Sequence, residues 1–68
     1  MPPLKDVLAD YQAQIERARD RIRMFESGEM AVHDTFPPFK SWTPEAIEIE
    51  RQIIKSLESG VELLRKAL

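Results

Sequence analysis

The segment Trp42–Leu68, WTPEAIEIERQIIKSLESGVELLRKAL, decides how the rest of the chain is read. It opens on a helix start signal. Thr43 suits the N-cap, Pro44 the first helical position, and Glu45 favours the positive end of the helix dipole. Trp42, just ahead of the cap, is placed to meet Ile47 as a hydrophobic staple. The spacing predicts a helix over 44–67. Gly60 costs it about 1 kcal/mol relative to alanine and marks a bend or a close approach of another helix. Ile47, Ile54, Val61 and Leu68 recur every seven residues, with Leu57 and Leu64 between them. Ile49, Ile53, Leu63 and Ala67 widen the band on one side. At 100° per residue it spans roughly 160–200°, more than one neighbouring helix covers.

The preceding helix is predicted over 4–27. Leu4, Leu8, Tyr11, Ile15, Ala18, Ile22 and Phe25 alternate spacings of four and three. This is a heptad seam, with Leu8, Ile15 and Ile22 at a and Leu4, Tyr11, Ala18 and Phe25 at d. Pro2 and Pro3 stand where a helix entrance tolerates proline. Gly28 stands where a left-handed cap is expected. Both segments read acidic at the start (Asp6, Asp10; Glu45, Glu48, Glu50). Both read basic towards the end (Arg17, Arg19, Arg21, Arg23; Arg65, Lys66). Folded back on each other, the arginines of the first lie beside the glutamates of the second. Each exposed pair contributes only about 0–1 kcal/mol, so their value is in register.

The chain of 68 residues is read as one domain. At that size a core is marginal and is usually supplemented by a disulfide, a metal or another chain. Cysteine is absent and histidine occurs once, at His33. This disfavours thiolate and imidazole metal sites, and association is the route that remains. The net charge of −2 does not suggest a polyanion-binding chain. The start, MPPLKDVLADYQ, has no apolar run of signal-peptide length, and no stretch is apolar for the span of a bilayer. A cytoplasmic location is the expectation, with no membrane contact.

Three groups of residues stand out as candidate sites. The first is the connection over 28–43, with TFPPFKSW at Thr35–Trp42. Fifteen or so residues is long for a helical hairpin, where 2–8 is usual. Phe36, Phe39 and Trp42 are expected to pack over the end of the hairpin, with Phe36 or Phe39 reaching Phe25. A second reading makes them anchors for another protein. The second group is the arginine cluster Arg17, Arg19, Arg21 and Arg23. Its members project to both flanks of the seam, so pairing with Glu45, Glu48 and Glu50 is favoured over polyanion contact. The third is Glu29, His33 and Asp34, read as a solvated loop rather than as metal ligands or an acid–base group. Ser27, Ser41, Ser56 and Ser59 stand in no nucleophile-elbow context. The two glycines form no phosphate-cradling loop.

The fold expected is all-α: an antiparallel two-helix hairpin with a long proline- and aromatic-rich connection, dimerising into a four-helix bundle. Leu8, Ile15, Ile22, Ile47, Ile54, Leu57, Val61 and Leu64 are assigned to the core or dimer face. The function expected is a small non-enzymatic interaction module, adaptor or regulator, without cofactor or metal. Its partners are a second copy and, through Phe36–Trp42, another protein. The alternative is a dimeric nucleic-acid-binding bundle of the ROP type using Arg17–Arg23, a comparison of architecture alone.

Overall fold

The computed structural model describes residues 3–68, so Pro2, expected at the first helix entrance, lies outside the described residues. Two helices form, α1 over Leu4–Ser27 and α2 over Thr43–Ala67. α1 begins at Pro3, whose carbonyl accepts from the amides of Asp6 and Val7 at 3.0 and 3.2 Å. It stops at Gly28, which takes the left-handed conformation (φ 86°) and donates to the Phe25 carbonyl. A side chain at this position would be strained, which is why glycine suits it.

The helices pack antiparallel, as the order of their contacts shows. Tyr11 meets Gly60, Arg19 reaches Glu58, Arg21 holds Glu50, and Glu26 reaches Arg51. The particle is a rod of 51 × 20 × 17 Å. The heptad seam of α1 holds. Ile15 and Ala18 are buried, and Leu8, Tyr11, Ile22 and Phe25 are half-buried; only Leu4, at the open end, is exposed. On α2 the inner face is Ile47, Glu50, Ile54, Leu57, Val61 and Leu64, again at spacings of three and four. Val61 is buried there and the others are half-buried.

Glu50 is the polar member of that inner face. Its side chain is 14% exposed and receives a two-pronged bond from Arg21, Nε to Oε1 at 2.8 Å and Nη2 to Oε2 at 2.9 Å. The bonded carboxylate holds the Arg21 guanidinium above its already high pKa, against a smaller opposing effect of burial. The guanidinium therefore stays charged at every physiological pH. A forked pair of this kind fixes orientation as well as distance.

Gly60 is a point of close approach. A Cβ built there would stand 2.6 Å from Cε2 of Tyr11 and 3.1 Å from Cδ2. The missing side chain makes room for the phenol ring between the helices.

Three expectations need correction. Thr43 does not cap α2: no side chain caps that end, and the Thr43 hydroxyl accepts from the Val32 amide instead, at 3.0 Å. The last turn of α1 carries no base, because the arginines end one turn earlier. Among the expected glutamate partners only Glu50 takes an arginine of α1. Glu48 accepts from Gln52 on its own helix, and Arg19 finds Glu58.

The Tyr11–Gly60 contact sets a sign-reversing test. Gly60→Ala should destabilise the hairpin by about 1–2 kcal/mol, because overpacking outweighs the gain in helix propensity. In a Tyr11→Ala background the same substitution should stabilise by up to about 1 kcal/mol. Thermal melts of the four proteins check this; a stabilising Gly60→Ala in both backgrounds contradicts the packing described.

Candidate functional site: an aromatic loop and an open helix face

The connection is ordered by its own hydrogen bonds. The Trp42 amide donates to the Val32 carbonyl at 2.7 Å, and the Asp34 amide to the Lys40 carbonyl at 3.0 Å. Between these, His33 and Ser41 form an antiparallel β-bridge. The tip is Phe36-Pro37-Pro38-Phe39, where the Phe39 amide donates to the Phe36 carbonyl at 3.0 Å and the Pro37–Pro38 peptide is cis. The Thr43 hydroxyl, accepting from Val32, ties this small hairpin to the start of α2.

Trp42 braces the loop at its base. Its indole N–H donates to the Asp34 carboxylate at 2.6 Å, and Lys40 Nζ lies 4.1 Å from the ring centre. The cation over the ring face and the anion at its edge match the electrostatics of an indole. Asp34 is thus a brace of the loop, while Glu29 and His33 stand exposed beside it.

The tip does not pack. Phe36 is 76% exposed and Phe39 57%, and Trp42 is exposed as well. This corrects the expectation that the three aromatics close the end of the hairpin. The physical reason is in the bonding: the Val32–Trp42, Asp34–Lys40 and Trp42–Asp34 hydrogen bonds close the loop on itself as a small hairpin, with its Phe36–Phe39 tip in solvent. Phe39 also holds a positive φ of 55°. That region costs a residue with a Cβ roughly 1–2 kcal/mol, and a bulky residue there is uncommon.

The second feature is the outer flank of α2. Ile49 is 61% exposed, Leu63 68%, and Ile53 is exposed as well. Ile49, Ile53 and Leu57 line a shallow apolar depression with Glu48, Gln52 and Ser56 around it. Beside it on α1 lie Gln14, Arg17 and Arg21, a polar border. The opposite side of the hairpin is charged and paired, with Arg19 between Glu16 and Glu58 and Arg51 near Glu26. The hairpin therefore has one ionic side and one open apolar stripe.

The arginine cluster is mostly engaged. Arg21 holds Glu50, Arg19 contacts Glu16 and Glu58, and Arg23 pairs with Asp20 on its own helix. Among the described residues Arg17 has no ion-pair partner. Among the described residues, no helix is long and apolar enough to cross a membrane. The chain matches no protein-family model, and neither a curated protein nor a solved structure matches it.

Exposed rings can be removed at little structural expense. Phe36→Ser should change stability by no more than about 0.5 kcal/mol, as for other surface positions. Phe39→Gly should leave the melting temperature unchanged or slightly raised, because glycine adopts the positive φ freely. Loss of more than about 2 kcal/mol in either variant, read by thermal or denaturant unfolding, means that the rings are packed in solution.

Proposed function

We propose that this chain is a non-enzymatic protein–protein interaction module that acts as a homodimeric helical bundle and docks another protein through Phe36, Phe39 and Trp42. The observation that carries the reading is the aromatic tip. Two exposed phenylalanines are held on a loop braced by its own hydrogen bonds, one of them at a positive φ. Backbone strain at a residue that gains no packing from it is characteristic of binding sites, where the surrounding structure enforces a pre-set geometry. Pre-ordering reduces the entropy lost on docking, and large aromatics in solvent are typical interface anchors. A cytoplasmic setting belongs to the same reading and rests on the sequence.

The dimer follows from the other feature. Ile49, Ile53 and Leu63 leave an apolar stripe in water along a hairpin whose interior holds only Ile15, Ala18 and Val61 as buried residues among those described. Covering such side chains contributes roughly 1.5–3 kcal/mol each when burial is complete. A dimer joined through α2 is the four-helix arrangement the sequence suggests.

Light scattering across the micromolar range should give twice the chain mass, and Ile53→Glu should return the monomer. For the loop, the native protein and a Phe36→Ser, Phe39→Gly variant of matched stability are compared as baits. A protein captured by the first and lost from the second supports docking through the tip. Identical capture by both, or by neither, refutes it.

A further inference from the structure

The stripe on α2 has a symmetry that chooses how a second copy sits on it, and the inference here rests on the dimer reading above. Ile49, Ser56 and Leu63 are seven residues apart, and Ile49 and Leu63 are equidistant from Ser56. All three are exposed. We propose that two copies associate through α2 alone, antiparallel, with a two-fold axis passing at Ser56. The dimer then carries its two aromatic loops at opposite ends.

Four observations lead there. First, the neighbouring flank of α1 offers Gln14, Arg17 and Arg21, so an α2 stripe laid on α1 of the second copy would bury Ile49 and Ile53 against charge. Along this flank, α2 against α2 sets apolar against apolar. Second, an antiparallel register centred on Ser56 places Ile49 opposite Leu63 of the second copy, and Ile53 opposite its exposed Ser59, large against small. Third, charge is asymmetric along the helix. Glu45 and Glu48 flank the stripe at its start, and Lys66 flanks it at its end. In the antiparallel register these acids meet Lys66 of the second copy. In a parallel register Glu45 and Glu48 would face their own images, a like-charge arrangement that opposes association. Fourth, the two adjacent α2 dipoles oppose each other when antiparallel and run side by side in the same sense when parallel.

The consequence is geometric. α2 has 25 residues and is therefore about 37 Å long, and each loop leads into its start. The two Phe36–Phe39 tips lie at opposite ends of the bundle, farther apart than the helix length. Such a particle bridges two partners rather than gripping one with both loops. A single helix-on-helix contact falls at the small end of specific interfaces, about 1,200 Å² in total, which is consistent with a reversible, micromolar dimer.

The chain has no cysteine, so introduced ones report cleanly. Under mild oxidation Ser56→Cys should form a disulfide dimer, because its Cα atoms face each other across the axis within reach of a disulfide. Ile49→Cys should not link to itself, but a mixture of Ile49→Cys and Leu63→Cys chains should give the mixed dimer. Spin labels on Phe36→Cys should be separated by roughly 40 Å or more. A dimer by light scattering in which Ile49→Cys links to itself, Ser56→Cys fails to link, or the labels lie close together overturns the antiparallel axis and leaves the dimer standing. A chain that stays monomeric at all concentrations overturns both.

Discussion

A helix with one neighbour can hide one stripe of side chains, and α2 carries more than one. The open apolar stripe on the hairpin follows from that mismatch. Its inner face, Ile47 to Leu64, meets the heptad seam of α1. Its outer flank, with Ile49, Ile53 and Leu63, has no counterpart among the described residues, and the two helices between them bury only Ile15, Ala18 and Val61. Dispersion and hydrophobic burial scale with covered area. A hairpin so thinly filled draws little from either.

What the hairpin lacks in core it supplies in specificity. The forked Arg21–Glu50 pair sits on the inner face of α2, where a leucine would contribute more burial but would leave the register freer to slide. The Tyr11 ring against Gly60 adds a steric lock near the other end. Together they fix antiparallel alignment at two points along the rod. Exposed pairs such as Arg19–Glu58 add discrimination rather than much free energy.

Helix limits and the α1 seam were legible because they depend on local signals. Gly28 ends α1 where a left-handed cap was expected, and the four-three spacing put Ile15 and Ala18 inside. The close contact at Gly60 was legible as one of two meanings of a glycine within a helix. The loop was not. Its order comes from pairings between residues 8 to 11 apart, Val32 with Thr43 and Asp34 with Trp42, and neither has a periodic signature. Thr43 read as a cap because its sequence context is that of a cap, yet a nearby amide outcompeted the helix for its hydroxyl. The same self-sufficiency left Phe36 and Phe39 in solvent. Glu50 read as one of several surface acids because it is charged, although its place seven residues before Leu57 and fourteen before Leu64 puts it on the inner face.

We propose that the hairpin gains its stability by association through the outer flank of α2. Linkage makes this measurable without any variant. If folding and dimerisation are coupled, the midpoint of thermal unfolding depends on protein concentration, because mass action favours the associated state. Circular dichroism melts over a hundredfold range around micromolar concentration should show a midpoint that climbs steadily with concentration. A sharp, reversible transition at one temperature across the whole range would show that the single hairpin is stable alone, and would contradict the claim.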